Sequence, residues 1–347
     1  MSLPPDHPYY KAPEPFATDP NAPGAAKETE HFDLEEALEG MGRAVDVPEG
    51  HRSGFVNIVG RPNVGKSTLL NALVGDRVSI ITAKPQTTRH RILALLSGED
   101  FQLVLSDTPG LIEEPGYRMQ ERMNAFVASA FEDADVVLFV CVPQEEYADD
   151  HPLMQRLRGT DAHVVVVVNK ADTVDEGEAE AVAKTYRERL DAQHAVAVSA
   201  LERRGTDELL AYVRGVLPEG PAYYPKDQIS DRPERFFITE ILREVILEQY
   251  RQEIPYAVEP VVDSFKEGTT TQGKPLVRIA ANIYVERESQ KNILIGKGGR
   301  DIKRLGQAAR ERMEGFLGKK VFLETHVKVR PGWRNDEQQL RRFGYEG

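Results

Sequence analysis

The chain is poor in two informative residues: it has one cysteine, Cys141, and one tryptophan, Trp333, in 347 residues. A single cysteine excludes an internal disulfide. Cys141 lies within the apolar run Val136 to Val142, so its thiol is expected to be buried and inert. No run of about 18 uninterrupted apolar residues is present to span a bilayer. The greasiest stretch, Val164 to Val168, suits a buried parallel strand. No secretory signal opens the chain, and the cytoplasm is the expected compartment. Basic residues are scarce at the front, where residues 1–50 hold 3 Lys/Arg against 11 Asp/Glu. That balance is the opposite of a mitochondrial-type presequence. The formal charge of −12 hides a late basic patch, since residues 287–334 hold 13 Lys/Arg against 5 Asp/Glu. Phosphate contacts would be useful there.

What is present falls into blocks. Residues 1–50 are rich in Pro, Ala, Asp and Glu, with only a faint helical period over Phe32 to Met41. They read as a mobile acidic extension with too little apolar surface to offset its ordering entropy. From Phe55 strands and helices alternate: a strand Phe55–Val59, a helix Lys66–Val74, and a hairpin of Arg91–Leu96 with Gln102–Ser106. Strands Val136–Val142, His163–Val168 and Ala195–Val198 follow. The pattern predicts an α/β domain over residues 51–217, its mostly parallel sheet covered by helices on both faces. The Pro- and Gly-bearing stretch from Pro218 to Pro225 opens a linker, 218–232. Beyond it, residues 233–347 predict an α+β domain of order α-β-β-α-α-β. Its parts are an amphipathic helix Glu234–Tyr250, strands Ala257–Lys266 and Leu276–Glu286, two short helices around Gly296–Gly299, and a strand Lys320–Val329.

Gly60-Arg61-Pro62-Asn63-Val64-Gly65-Lys66-Ser67 follows a strand and opens a helix, the context a phosphate-binding loop (P-loop) needs. Backbone N–H groups there converge on phosphate oxygens, and the helix N-terminus adds a favourable dipole. Lys66 supplies charge at the β/γ oxygens, and the Ser67 hydroxyl is a Mg²⁺ ligand. Asp107-Thr108-Pro109-Gly110 closes the third strand, with Asp107 toward the metal and the Gly110 N–H toward a γ-phosphate. Asn169-Lys170-Ala171-Asp172 ends a buried strand at the carboxyl edge of the sheet, where ligands bind. The Asp172 carboxylate matches N1–H and the 2-amino group of guanine, and adenine has no donor there. Ser199-Ala200-Leu201 is placed to back the guanine ring with main-chain contacts. One threonine of Gln86-Thr87-Thr88-Arg89 is expected to reach the metal.

Near the end, Ile295-Gly296-Lys297-Gly298-Gly299 forms a G-x-x-G turn between helices, through which a backbone approaches single-stranded nucleotides. Lys303, Arg304, Arg310, Lys319 and Lys320 are close in sequence. Trp333 and Arg334 are candidates to stack on or pair with a base, and core packing is the equal alternative for Trp333.

The combination resembles the Era family of GTPases, over roughly residues 53–345, with a C-terminal domain similar to a type II K-homology (KH) domain. The resemblance implies nucleotide loops at Gly60–Ser67, Gln86–His90, Asp107–Leu111, Asn169–Asp172 and Ser199–Leu201. It implies Thr88 as the metal-binding threonine beside Ser67 and Asp107, and RNA contacts at Ile295 to Gly299 and Lys303. It further implies GTP/GDP and Mg²⁺ as ligands, the 3′ end region of small-subunit ribosomal RNA as partner, and a role in small-subunit assembly. Peripheral contact with the inner membrane is a family implication that no lipid motif here supports. A monomer is expected. Asn63 stands either as a turn former or as the residue that helps related GTPases hold K⁺. The acidic extension has no family counterpart. Leu111 occupies the place where many GTPases carry a water-orienting Gln, so slow turnover resting on Lys66, Thr88 and Gly110 is expected. The alternative to a GTP-driven switch is an RNA chaperone whose nucleotide pocket is structural.

Overall fold

A computed structural model describes residues 47–82 and 84–345. The period noted over Phe32 to Met41, and most of the acidic extension, lie outside those residues. The first domain runs β1 (Arg52–Val59), α1 (Lys66–Val74), β2 (Ile92–Ser97), β3 (Phe101–Asp107), α2 (Arg118–Ser129), β4 (Val136–Cys141), α3 (Pro152–Arg158), β5 (His163–Val168), α4 (Glu176–Leu190), β6 (His194–Ala197) and α5 (Thr206–Val216). Its strands form one sheet in the order β2-β3-β1-β4-β5-β6, antiparallel only between β2 and β3. The inner strands read as unbroken apolar runs because both faces are covered. Side chains alternate between two layers. Val56, Ile58, Leu138, Val140, Val165 and Val167 meet α1 and α5 on one face, while Val137, Phe139, Val164 and Val166 meet α3 and α4 on the other. Cys141 is buried in that second layer.

The second domain runs α6 (Glu234–Gln249), α7 (Ile254–Ala257), β7 (Val258–Thr269), β8 (Pro275–Val285), α8 (Glu288–Ile295), α9 (Arg300–Leu317), β9 (Lys320–Val329) and α10 (Glu337–Arg342). Its sheet has the order β7-β8-β9, with β8 antiparallel to β7 and parallel to β9. Val277, Ile279, Ala281, Ile283 and Val285 of β8 alternate inward against Ile238, Leu242 and Val245 of α6 and Leu305, Ala309 and Met313 of α9. One expectation needs correction and one open reading is decided. The helix after the glycine turn is not short; α9 has 18 residues, because its apolar positions keep helical spacing across the whole sheet. Trp333 is fully buried, which decides between its two readings in favour of core packing. It packs with Met119, Met123 and Phe126 of α2 and with Tyr284, Leu340, Phe343 and Tyr345. That cluster joins the two domains.

The linker is not a free loop. Ser53 N–H donates to Pro218 O, Leu95 N–H donates to Ile229 O at 3.0 Å, and Ser230 Oγ donates to Leu93 O at 2.6 Å. Gln102 accepts from the Tyr223 and Tyr224 N–H groups at 2.7 and 2.9 Å. The segment thus lies along the β2–β3 side of the first sheet.

Candidate functional site: a nucleotide cavity facing the second domain

The phosphate loop is built by close approach. At Gly60 an added Cβ would sit 2.2 Å from Val140 O, and at Gly65, with φ 95°, it would sit 2.3 Å from Asn169 Nδ2. Only glycine fits both places. Gly65 starts α1 with no side-chain cap, so the first N–H groups of that helix point at the cavity. Asn169 is a buried strut: its Nδ2 donates to Val64 O at 2.9 Å and its Oδ1 accepts from Ala200 N at 3.0 Å. One side chain therefore registers the phosphate loop, the Asn169–Asp172 turn and the Ser199–Leu201 loop. Lys170 donates to Asn63 O at 2.8 Å, adding a second tie. Asp172 is exposed in the turn Ala171–Thr173, and Leu201 is 80% exposed. Ser199 is buried and accepts from Glu202 N.

The cavity between these loops has a volume of about 440 Å³, and Pro62, Lys66, Ser67, Thr88, Gly110 and Leu201 are among its walls. Lys66 is buried and donates to Gly60 O at 3.1 Å and Arg61 O at 2.9 Å. Burial pushes its ammonium down to about 8, against the pull of Asp107 and Glu145. An incoming polyphosphate would push it up again. Ser67 Oγ lies 2.6 Å from Asp107 Oδ2 and 2.9 Å from Thr88 Oγ1, and Thr88 Oγ1 lies 3.1 Å from the same carboxylate. Asp107 Oδ1 is buried with no partner, and desolvation pushes this carboxyl upward. Three converged hard oxygens and one orphaned carboxylate oxygen suit a hard divalent cation such as Mg²⁺. Thr88, rather than Thr87, joins that oxygen cluster, since the Thr87 hydroxyl is spent on Lys84 O and Thr82. Thr108 is buried and donates to Ile58 O, while Gly110 is pressed against Pro62, where a Cβ would fall 2.6 Å from the Pro62 nitrogen. Leu111 turns into the apolar layer below β4 and β5.

At the far end, α8 stops at Gly296 (φ 70°), Gly298 and Gly299 also take left-handed angles, and α9 starts at Arg300. A Cβ at Gly298 or Gly299 would meet nothing within 4 Å, so the turn presents bare backbone. Lys297 and Lys303 are exposed beside it, and Ile295 is half-buried. Lys319 and Lys320 are neutralised by Glu267 and Glu314 at 2.8 and 3.1 Å.

The chain resembles known proteins over most of its length. It is 42% identical over 301 residues to GTPase Era of Carboxydothermus hydrogenoformans, covering 85% of this chain and 98% of that protein. The chain belongs to the Era family of GTPases. The GTPase Era of Alkaliphilus metalliredigens is 40% identical over 297 residues, covering 85% of this chain and 99% of the relative. A chloroplastic ERA-like GTPase of Oryza sativa is 45% identical over 302 residues, 86% of this chain and 70% of that protein. Residues 55–170 match the model of a 50S ribosome-binding GTPase, and residues 253–334 match a KH domain. The crystal structure of a substituted Era of Aquifex aeolicus bound to GDP·AlF4⁻ aligns with TM-score 0.79 and 34% identity, covering 85% of this chain and all of that one. An Era solved with MgGDPNP and nucleotides 1506–1542 of 16S ribosomal RNA aligns with TM-score 0.79 and 34% identity, over 86% of this chain and all of that one. This Era-family chain is thus a GTPase that hydrolyses GTP, with a P-loop domain followed by a KH domain.

The Gln86–His90 loop is held from the second domain, an anchorage that motif spacing does not reveal. Arg89, adjacent to Thr88, is fully buried and donates to Val258 O, Pro255 O and Glu259 Oε2 of the KH domain, each at 2.8 Å. Desolvation alone would lower its guanidinium, but Tyr345 and Glu259 hold it above the ordinary arginine value. Lys84 donates to Leu247 O and Tyr250 O at the end of α6, and Arg243 of α6 donates to Thr87 O. His90 is buried among Phe126, Phe236 and Tyr345, and burial pushes its imidazole down to about 4. A doubled threonine followed by Arg-His was the only available signal.

Proposed function

We propose that this GTPase is a switch that grips the 3′ end region of small-subunit ribosomal RNA in its GTP state, releases it after hydrolysis, and so assists small-subunit assembly. GTP binds with its phosphates on Gly60 to Ser67 and its base against Asp172, Asn169, Lys170 and Ser199 to Leu201. Ser67, Thr88 and Asp107 would hold Mg²⁺, which neutralises charge on the β/γ phosphates. The Gly110 N–H meets the γ-phosphate, and Lys66 offsets its charge. RNA lies along Ile295 to Gly299 with Lys297 and Lys303 at its phosphates. A monomer acting on the small ribosomal subunit, with K⁺ beside Asn63 and peripheral membrane contact, completes the proposal. The likeness to the Era complex with MgGDPNP and 16S ribosomal RNA supports the RNA partner.

The observation that carries the switch is the adjacency of Thr88 and Arg89. One residue reaches the metal-site oxygens and the next is buried in the KH domain. Loss of the γ-phosphate and its cation removes what holds Thr88, so the KH domain's foundation changes with nucleotide state. The test is RNA affinity of the full chain loaded with a non-hydrolysable GTP analogue against GDP, with Lys297→Glu as control. The analogue is expected to tighten binding, and Lys297→Glu to weaken it while sparing basal hydrolysis. Equal affinity in both nucleotide states would instead leave a nucleotide-independent RNA binder.

A further inference from the structure

The Leu111 side chain has no polar atom to offer an attacking water, and it is half-buried against the apolar layer of β4 and β5. Hydrolysis still needs a group beside the terminal phosphate to accept a hydrogen bond from that water. Resting on the GTPase reading above, we infer that Gln86 is this group and that Tyr117 is its positioning residue.

Gln86 lines the nucleotide cavity together with Lys66, Thr88 and Gly110. Its backbone has φ 59°, in the left-handed region. A glutamine takes that conformation only where its surroundings impose it, and such residues cluster at functional sites. The Tyr117 hydroxyl donates to Gln86 Oε1 at 3.3 Å. An amide oxygen has two lone pairs, so one remains for a water. Tyr117 is itself held. It is the extended residue before α2 (φ −160°), and the Arg334 guanidinium lies 4.4 Å from its ring centroid. Arg334 pairs with Glu286, which follows β8 and precedes α8. Helix α8 leads into the glycine turn at Gly296. The chain of contacts Glu286–Arg334–Tyr117–Gln86 therefore runs from the foot of the RNA-facing helix to the phosphate end of the cavity.

In the step itself, the water oxygen bonds to the γ-phosphorus and the bond to the β–γ bridging oxygen breaks. GDP leaves with that electron pair, and the water's proton ends on phosphate oxygen. Gln86 orients the water through its carbonyl and gains no proton.

The test uses the full chain. Fluorescent GDP and a non-hydrolysable GTP analogue report affinity, single-turnover GTP hydrolysis reports chemistry, and binding of GDP with aluminium fluoride reports the transition-state arrangement. Gln86→Gly accommodates the left-handed backbone without strain. It is expected to slow single turnover on the order of 100-fold, to abolish aluminium fluoride capture, and to leave nucleotide affinity within about 3-fold. Tyr117→Phe is expected to lower kcat about 10-fold with KM unchanged, and to add nothing on top of Gln86→Gly. A wild-type single-turnover rate in either variant, or multiplying effects in the double variant, overturns the inference alone. A wild-type chain that neither binds nor hydrolyses GTP overturns the parent reading as well, and is seen before any variant is compared.

Discussion

Replacing Arg89 by Met should uncouple the two domains while leaving a side chain of similar length. The guanidinium is fully buried and fills three acceptors at 2.8 Å, two of them main-chain carbonyls and one the Glu259 carboxylate. Methionine leaves Glu259 buried without the guanidinium that pairs with it, the Tyr345 hydroxyl remaining as hydrogen-bond partner at 2.9 Å and Arg243 as the nearby cation. Breaking a buried pair in this way costs about 3–5 kcal/mol, a large share of the roughly 5–15 kcal/mol that holds a typical protein folded. Glu259→Gln placed on top removes the stranded charge and should recover part of the loss, giving a coupling energy of about 1–3 kcal/mol. Urea denaturation of the four proteins provides the assay. Trp333, the sole tryptophan, is fully buried in the cluster between the domains and reports its opening directly. The GTP-analogue effect on RNA affinity should vanish in Arg89→Met. A cost under about 1 kcal/mol, or strictly additive variants, would refute the reasoning.

Two further outcomes follow from the cavity. Asp172→Asn exchanges a double acceptor for an amide and should weaken GTP and GDP binding by about 1–3 kcal/mol, or roughly 5–150-fold; unchanged affinity in equilibrium titration would remove Asp172 from guanine recognition. Lys66 falls from 10.5 in the unfolded chain to about 8 in the fold, so between those values the unfolded state binds more protons and stability rises with pH. Phosphate raises Lys66 again, so nucleotide binding above pH 8 should take up a proton and weaken as pH climbs. Calorimetry in buffers of different ionisation enthalpy would show it, and no proton uptake at pH 9 would refute it.

The residues proposed to meet phosphate were legible because each obeys a local rule. Gly65 and Gly75 bracket α1 with left-handed angles, so its bounds could be read to the residue. Strands β4 and β5 announced themselves as short apolar runs, since a parallel sheet buries both their faces. The glycine turn before α9 needed positive φ at three places, and glycine supplied it. What stayed hidden depends on partners far along the chain. Arg89 reads as a basic loop residue until Val258 and Glu259, about 170 positions away, are seen to enclose it. Trp333 looked equally suited to a base or a core because a lone aromatic has no periodic neighbours to decide it. Helix α10, Glu337–Arg342, has only six residues and one buried apolar position, Leu340, so no period could reveal it. Gln86 was visible only as part of a polar loop, since backbone strain leaves no mark on composition.

The linker's attachments reach almost to the start of the KH domain. Asp231 accepts from the Leu93 N–H, Arg232 donates to Arg91 O at 2.7 Å, and α6 begins at Glu234. Such a tether has next to no slack. Any swivel of one half on the other must pivot at Arg232 and Pro233 or peel the strap from the sheet's flank, so a few added glycines at that point would slacken the whole machine without touching either binding surface.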